Sequence, residues 1–330
     1  MIYRLEELQG FWEASCNPQP IVIVGGGRWG RVWASVVANA AGSSRNIALV
    51  SRNHAMDVRQ WLGHDPLLRD AHVFETIEDA MHAKTAPVVA IIASRPRDHV
   101  RDATQVLEAG GHVLIEKPIG PDTEEARRML QYAADQALVA GVATEFSFLP
   151  ALHFLAAELH GAGDQIRSMD VDWRDPVGEI RHNGSKRNHS EMSILEDLLP
   201  HFVSIIRALV PDAALALDVK NETATAGKIG LTDGHDRYFC LHCDKAAGER
   251  TRSLKLVGNK ARILLDFSGE DPKILWNDKE LPLPREWRLL NSTLRLELGA
   301  FLSAVETGAP QNPLVDAPDL LLRLQDALGS

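Results

Sequence analysis

The chain has 330 residues, of which 45% are hydrophobic and 24% charged, enough for two globular domains with substantial cores. Its formal net charge of −10 argues against a broad nucleic-acid-binding surface, so small molecules are the expected partners. No uninterrupted apolar stretch approaches the roughly 20 residues of a membrane helix, and residues 1–20 lack the basic start and apolar run of a secretory signal. Three cysteines, an odd number, indicate reduced thiols and predict a cytoplasmic protein.

From Ile21 to about Thr144, apolar runs typical of strands alternate with helical patterns, as in βαβ units built around a parallel sheet. Thr76 and Asp122 each precede an acidic residue by three positions, which is the pattern of a capping residue at a helix start. A helix is predicted over Arg97–Ala109, where apolar residues recur at helical spacing. The predicted strands are Ile21–Val24, Ile47–Val50, His72–Phe74, Val88–Ala93, His112–Ile115 and Leu138–Ala143.

The stretch IVIVGGGRWGRVW (Ile21–Trp33) places glycines at the junction between the first strand and a helix. In a Gly-x-Gly-x-x-Gly motif the first glycine permits a tight turn, the second lets the backbone approach a pyrophosphate, and the third lets the helix pack on the strand. We therefore predict a dinucleotide-binding Rossmann domain over residues 1–145, with the phosphates at the helix N-terminus. The residues predicted to bind them are Gly25, Gly27, Arg28, Trp29 and Gly30.

The end of the second predicted strand indicates which dinucleotide is bound. A free ribose 2′-hydroxyl is usually held by an acidic residue about 20 residues past the glycines, whereas a 2′-phosphate calls for arginine and small hydroxyl groups. The segment 49–53 contains Ser51 and Arg52 and no acid. Arg52 can make charge-assisted hydrogen bonds to phosphate, so NADP(H) is the predicted cofactor. The alternative is that Arg52 is only a solvated surface charge.

After Ala143 a run of strands with few helices replaces the alternation, which is typical of an α+β domain with a largely antiparallel sheet. This second domain is predicted over residues 146–330, with its last helices free to pack back on the first domain. A helix is predicted over Phe146–Leu159. The predicted strands are Ile166–Arg174, Leu217–Thr225, Asp236–His242, Ser253–Val257 and Ala261–Phe267.

One helical stretch of the second domain, Ser193–Leu209, carries an acid and a histidine on the same face. Asp197 and His201 are four residues apart, so their side chains project one turn from each other. A carboxylate beside an imidazole favours the protonated ring and orients it, which suits proton exchange with a substrate. Such pairs are also common in helices that have no catalytic role.

Four motifs together make the chain resemble the Gfo/Idh/MocA family of oxidoreductases. They are the glycine loop, the segment ASRPRDH (Ala93–His99), Glu116-Lys117-Pro118, and Asp197-x-x-x-His201. The C-terminal segments 297–305 and 313–317 are similar to the closing helices of that family. The resemblance implies an α/β protein: an N-terminal Rossmann domain with a doubly wound parallel sheet, and a C-terminal α+β domain with a mostly antiparallel open sheet.

The resemblance also implies roles for individual residues. In the family the lysine that Lys117 matches lies near the reacting carbon, where an ammonium group can stabilise the charge that hydride transfer creates or discharges. The alternative for Lys117 is a side chain that only leaves the sheet edge for water. Asp197 and His201 match an aspartate and a histidine that meet this lysine across the substrate, so these three are the predicted catalytic residues. The residues expected to line the cofactor are Ser94, Pro96, His99, Glu116 and Lys117.

The predicted function is that of an NADP(H)-dependent oxidoreductase acting on a C–OH/C=O group of a small molecule such as a sugar or polyol. In the family the open sheet face often pairs with a second subunit, which implies a homodimer or homotetramer. Two alternatives stay open. One is an imine (C=N) reductase of a biosynthetic pathway, and the other is a non-catalytic regulatory protein that senses NADP(H), because a fold alone never proves chemistry.

The chain departs from the family pattern close to His201. Leu199 and Ser204 stand where the family usually has a glycine and often an acid, and Pro200 directly precedes the histidine. Because proline removes a backbone hydrogen bond, the helix is expected to start or kink there. An apolar Leu199 favours a smaller or more apolar pocket than a sugar requires, which suits the imine alternative.

Two further patterns invite a functional interpretation. The polar, cationic segment Arg181–Ser190 is typical of a solvated surface, although Lys186 and Arg187 could receive a carboxylate or phosphate of the substrate. The segment CLHC (Cys240–Cys243) suggests metal ligands. In a strand, however, Cys240 and His242 face one side and Cys243 the other, and no fourth ligand is evident, so no metal site is predicted.

Overall fold

The structure is a computed structural model that describes residues 2–16, 19–83, 88–177, 180–181, 184–185, 192–269, 271–308 and 313–329. The chain divides into two compact units. The first unit consists of Gln9–Thr144 and Leu294–Asp319, and the second of Met1–Leu8, Glu145–Thr293 and Leu320–Ser330. None of the helices in the described ranges is long and apolar enough to cross a membrane.

The elements are numbered here in chain order. The helices are α1 (Leu5–Ala14), α2 (Arg28–Ala41), α3 (Ala55–His64), α4 (Ile77–His82), α5 (Pro96–Glu108), α6 (Thr123–Asp135), α7 (Pro150–Gly161), α8 (Ile194–Leu209), α9 (Arg285–Arg288), α10 (Thr293–Thr307) and α11 (Pro313–Gly329). The strands are β1 (Ile21–Val24), β2 (Ile47–Val50), β3 (His72–Phe74), β4 (Val89–Ile92), β5 (His112–Ile115), β6 (Ala140–Val142), β7 (Ile166–Pro176), β8 (Ile180–Arg181), β9 (Gly184–Ser185), β10 (Ala216–Glu222), β11 (Ala226–Thr232), β12 (Tyr238–Ala247), β13 (Thr251–Gly258), β14 (Arg262–Asp266), β15 (Lys273–Trp276) and β16 (Lys279–Glu280).

The first unit is built on a parallel sheet, sheet A, with the strand order β3-β2-β1-β4-β5-β6. Strands β1, β2 and β4 are buried along their whole length because helices cover both faces of such a sheet. The sequence prediction of β1, β2, β3 and β5 is confirmed to the residue, while β4 and β6 are shorter than predicted. The chain reverses direction across the sheet between β1 and β4, where doubly wound sheets have their ligand crevice.

The helices of the first unit begin where the sequence supplies caps. The Thr76 hydroxyl accepts a hydrogen bond from the Asp79 amide at 3.0 Å, and the Asp122 carboxylate accepts one from the Glu125 amide at 2.9 Å. Both predicted capping residues are therefore confirmed. Helix α10 brings the chain back to this unit, since the fully buried Glu297 carboxylate accepts a hydrogen bond from the Thr144 amide at 2.5 Å.

The second unit is built on an eight-stranded sheet, sheet B, in the order β10-β11-β12-β7-β13-β14-β15-β16. Its neighbours pair antiparallel except β12 and β7, which are parallel, so the prediction of a mostly antiparallel sheet is confirmed. Strands β11, β15 and β16 were not predicted from the sequence. Strand β11 contains two glycines and a lysine, and it forms because β10 and β12 offer hydrogen-bonding partners on both sides.

Two helices of the second unit differ from the prediction. The helix predicted over Phe146–Leu159 is wrong at its start, because a short 3₁₀ helix (Glu145–Phe148) comes first and α7 begins at Pro150, which suits a first helical position. Helix α8 does not start at Pro200 but runs through it, so the expectation of a start there is wrong. It begins with a capping box in which Ser193 accepts from the Glu196 amide and the Glu196 side chain accepts from the Ser193 amide.

Candidate cofactor site and histidine cluster

Gly25, in the loop between β1 and α2, and Gly30, in the first turn of α2, are both required for steric reasons alone. Gly25 has a φ of +123°, and a Cβ there would collide with the backbone carbonyl of Ala93. A Cβ on Gly30 would overlap the carbonyl oxygen of Gly25, so this glycine lets α2 lie directly on the loop. Both positions therefore carry the structural roles expected of the first and third glycines of the motif.

The middle glycine has a different environment. A Cβ built on Gly27 would meet no described atom within 4 Å, and its φ of −76° is open to any residue, so packing does not require glycine here. Gly27 is also the N-cap of α2 and provides no side-chain cap for the amides of the first turn. Next to it, Arg28 Nε is buried without a hydrogen-bond partner among the described residues. Such amides and donors fit an anionic phosphate.

The end of β4 adds a second unsatisfied polar group beside the glycine loop. Ser94 Oγ is buried and has no hydrogen-bond partner within the described ranges. Pro96 begins α5, and the buried His99 lies in its first turn. His99 Nδ1 is 2.9 Å from the carbonyl oxygen of Pro118, and Nε2 is 3.1 Å from that of Ser94. His99 is therefore within hydrogen-bonding distance of both the end of β4 and the segment that follows β5.

Glu116 and Lys117 follow β5 at the same edge of sheet A. The buried Glu116 carboxylate accepts a hydrogen bond of 2.6 Å from the indole nitrogen of Trp33 in α2. Lys117 is half-buried, and its peptide bond to Pro118 is cis. Within the first unit, this edge of the sheet thus carries the glycine loop, the Ser94 hydroxyl and the Lys117 ammonium group.

Arg52 lies at the end of β2 and is held by an acid that sequence analysis missed. Its guanidinium donates two hydrogen bonds, of 2.6 and 3.3 Å, to the Asp102 carboxylate in α5. The Asp102 side chain is fully buried, whereas that of Arg52 is 38% exposed. Ser51 precedes this arginine, and the backbone of its neighbour Val50 accepts a hydrogen bond from the Gly25 amide. The Arg52 guanidinium is thus held in place by an ion pair and is not only a solvated surface charge.

In the second unit, His201 lies in a cluster of aromatic rings. Its side chain is 10% exposed and stacks on Trp173, with ring centroids 5.1 Å apart and an interplanar angle of 12°. Phe146 contacts the ring edge-on, and Glu145 Oε1 lies 3.9 Å from His201 Nδ1. On the indole, the buried guanidinium of Arg252 lies 3.8 Å from the ring centroid. The imidazole is therefore held in one orientation by packing.

Asp197 lies one turn before His201 in α8, and the ion pair described for it is with Lys245 of β12 at 2.9 Å. No local motif marks Lys245, Trp173 or Glu145 as neighbours of this pair, because they come from other elements of the chain. A second buried histidine shows a contrasting environment. Burial lowers the pKa of His153 to about 4, and its two ring nitrogens bond the Tyr3 amide and the Ser147 carbonyl, so this ring stays neutral and structural.

Two remaining sequence patterns have separate outcomes. In the cationic segment the structure describes only Arg181, Gly184 and Ser185, in the β8–β9 pair, and Lys186 and Arg187 lie outside the described residues. In the CLHC segment the predicted alternation is confirmed, since the Cys240 thiol lies 3.2 Å from His242 while that of Cys243 bonds the Gly227 carbonyl. All three cysteines are free thiols.

The contrast between two glycines gives a direct test of ligand binding at this loop. Gly30→Ala is expected to destabilise the fold by about 1–3 kcal/mol or more, because its Cβ overlaps backbone. Gly27→Ala is expected to change the unfolding free energy by less than about 1 kcal/mol. It is expected to weaken dinucleotide binding about tenfold or more, because its methyl group would enter the open space where the phosphates are predicted to bind. Thermal melts and isothermal titration of both variants check this. Unchanged cofactor affinity in Gly27→Ala would contradict it.

The strand order 3-2-1-4-5-6, with a glycine loop at the point where the order reverses, defines a dinucleotide-binding Rossmann fold. Residues 20–144 match the family described as "Oxidoreductase family, NAD-binding Rossmann fold" (GFO_IDH_MocA). This match confirms the resemblance to the Gfo/Idh/MocA oxidoreductases that the motifs of this part of the chain predict.

One protein is similar to this chain in sequence, and two solved structures are similar to it in fold. An uncharacterized oxidoreductase, sll0816 of Synechocystis sp., is 33% identical over 105 residues, which is 31% of this chain and 28% of that protein. UDP-N-acetylglucosamine 3-dehydrogenase GnnA from Acidithiobacillus ferrooxidans shares the fold with a TM-score of 0.73 and 20% identity over 92% of this chain and 94% of that one. The 3-ketoreductase KijD10 from Actinomadura kijaniata, solved with TDP-benzene and NADP, does so with a TM-score of 0.74 and 18% identity over 94% and 96%.

Proposed function

We propose that the protein is an NADP(H)-dependent oxidoreductase that interconverts a hydroxyl and a carbonyl group on a small molecule of the sugar or polyol class. The observation that carries the proposal is the set of groups at the carboxyl edge of sheet A. There the glycine loop is accompanied by the start of α2, which has no side-chain cap, and by Lys117. Arg28 Nε and Ser94 Oγ are buried at this edge, and neither has a hydrogen-bond partner among the residues that the structure describes. A purely structural loop would not need to leave buried donors unsatisfied.

These residues fit a nicotinamide dinucleotide. The amides of Gly27, Arg28 and Trp29 would hold the pyrophosphate, with Gly25 and Gly30 shaping the loop. The nicotinamide half would lie against Ser94, Pro96, His99 and Glu116. The main contribution of His99 and Glu116 would be to fix the segments that carry Ser94 and Lys117. When bound, the cofactor supplies or accepts hydride.

Three side chains would stabilise charge on the substrate and exchange a proton with it. The Lys117 ammonium group would polarise the oxygen at the reacting carbon and stabilise negative charge there. His201 would donate or accept the proton, because its ring is oriented by Trp173 and Phe146. Asp197 would add negative charge one turn away, shared with Lys245.

The preference for NADP(H) rests on Arg52, which Asp102 holds at the end of β2. Arg52→Gln is expected to raise the Kd of NADPH by about 10- to 150-fold, the equivalent of losing charged hydrogen bonds of about 1.5–3 kcal/mol. The Kd of NADH should change much less, because NADH lacks the 2′-phosphate. Fluorescence titration with both cofactors measures the ratio of the two dissociation constants. A general loss of stability affects both constants equally and therefore does not change this ratio. An equal change in both dissociation constants would contradict the proposed role, and Arg59→Gln on the exposed side of α3 is the control.

The substrate class is supported by the named activities of the two similar structures, a sugar-nucleotide 3-dehydrogenase and a 3-ketoreductase. The imine alternative is favoured by the buried, apolar Leu199, two residues before His201 in α8. Absorbance of NADPH, followed with the full chain and a panel of nucleotide sugars, free sugars, polyols, keto acids and cyclic imines, separates the two. A chain that binds NADPH tightly and turns over no member of the panel would instead support the sensor alternative.

We also propose that the chain forms a homodimer or homotetramer through the open face of sheet B and acts in the cytoplasm. Exposed apolar side chains on this sheet, Val219 and Val257, support the first statement, and the three free cysteines support the second. Sedimentation velocity of the full chain determines the oligomeric state, and a monomer at micromolar concentration would contradict the proposed assembly.

A further inference from the structure

Sheet B brings a cysteine, a histidine and an aspartate together, away from the histidine cluster. Cys240 and His242 lie on one face of β12, and Asp170 of the neighbouring parallel strand β7 is in register with Cys240. Cys240 Sγ lies 3.2 Å from His242 Nε2, and that nitrogen lies 3.9 Å from Asp170 Oδ1. The three atoms that could bind a metal all lie within 4.8 Å of one another.

These separations suit a small tetrahedral ion. A zinc ion with a Zn–S distance of about 2.3 Å and Zn–N and Zn–O distances of about 2.0–2.2 Å spaces its ligand atoms by about 3.4–3.6 Å. The side chains of His242 and Asp170 are each 50% exposed, so both can rotate to reach that spacing without disturbing the core. Cys240 is 1% exposed and stays in place. We propose that Asp170, Cys240 and His242 form a three-ligand Zn²⁺ site.

The net charge of the three ligands suits a divalent cation. A thiolate, a carboxylate and a neutral imidazole carry two negative charges, which balance one Zn²⁺ ion. Zinc binding displaces the thiol proton. Lys228 is paired with His242 across β11 and β12, and its single positive charge only partly offsets the two negative charges of the ligands.

The donor types select among metals. One sulfur, one nitrogen and one carboxylate oxygen suit Zn²⁺ or Co²⁺ and disfavour Mg²⁺ and Ca²⁺, which prefer all-oxygen ligands. The ion would link β7 to β12, the parallel pair of sheet B. The CLHC segment alone could not predict this site, because its third ligand comes from the adjacent strand.

The test uses the full, untagged chain after treatment with a chelator. Titration with Co²⁺ is expected to produce a thiolate-to-cobalt charge-transfer band and the intense visible bands of a tetrahedral ion, saturating at one equivalent per chain. Competition with a chromophoric chelator then gives the Zn²⁺ affinity. Cys240→Ser, His242→Gln and Asp170→Asn are each expected to lower that affinity by about 100-fold or more, at least the effect of losing an outer-shell partner.

Cys243→Ser is the matched control, because Cys243 lies three residues away on the opposite face of the sheet and bonds a carbonyl. It should keep both the cobalt spectrum and the Zn²⁺ affinity. Circular dichroism and thermal melts establish that each variant is folded. The proposal is overturned if the unsubstituted chain gives no charge-transfer band, if Cys240→Ser binds as tightly as the original, or if Asp170→Asn keeps full affinity, which would leave a simple cysteine–histidine contact.

Discussion

Replacing Lys117 with alanine is expected to lower kcat by about 10²–10⁴-fold while changing the affinity for NADPH far less. This corresponds to about 3–5 kcal/mol of lost transition-state stabilisation. The physical reason is the place of Lys117, a half-buried residue directly after β5 at the carboxyl edge of sheet A. Partial burial weakens screening by water, so a positive charge there acts more strongly on a developing alkoxide than a surface lysine would.

Steady-state kinetics on the substrate found in the panel, together with cofactor titration, measures this prediction. Lys279→Ala is the matched control, since Lys279 is an exposed lysine at the edge of sheet B. Lys117→Arg keeps the charge but moves it, and it should recover only part of the rate because the guanidinium is larger and planar. A near-normal kcat in Lys117→Ala would remove this residue from the proposed chemistry.

His201→Ala is the second substitution with a large expected effect, a fall in kcat of about 10²–10⁴-fold with cofactor binding retained. The ring is nearly buried, stacked on Trp173 and flanked by Glu145, so it is oriented before any substrate arrives. Because a general acid or base titrates, the variant should also lose one limb of the pH–rate profile. Kinetics across a range of pH measures both effects.

Two comparisons separate catalysis from packing at His201. His160→Ala removes an exposed histidine near the end of α7 and should leave kcat unchanged. His201→Phe keeps an aromatic ring against Trp173, so a variant that melts like the original and yet has lost turnover supports the proton-transfer role. If His201→Phe retains the original rate, the residue serves only to pack the aromatic cluster.

Asp197→Asn distinguishes two roles of the acid one turn earlier. If Asp197 orients His201 or favours its protonated form, the variant should shift the pH–rate profile of the folded enzyme. If it serves only to neutralise Lys245, which lies 2.9 Å away, the melting temperature should fall while the profile stays where it was.

The sequence alone determined sheet A and its glycine loop. Strands such as β1 and β2 are short, wholly apolar and bounded by turn residues, so their limits are set by local composition. The caps at Thr76 and Asp122 are local as well, since side chain and amide lie three residues apart. The family motifs then identified the segments expected to hold a dinucleotide.

Tertiary structure decided which partner each polar side chain has. Arg52 bonds Asp102, Asp197 bonds Lys245, and the pair of Cys240 and His242 gains Asp170. Strand β11 likewise exists because of its neighbours rather than its composition. Local propensity acts over a few residues, whereas these contacts depend on which strands and helices become neighbours in the folded sheets, and that order is set by long-range pairing and burial.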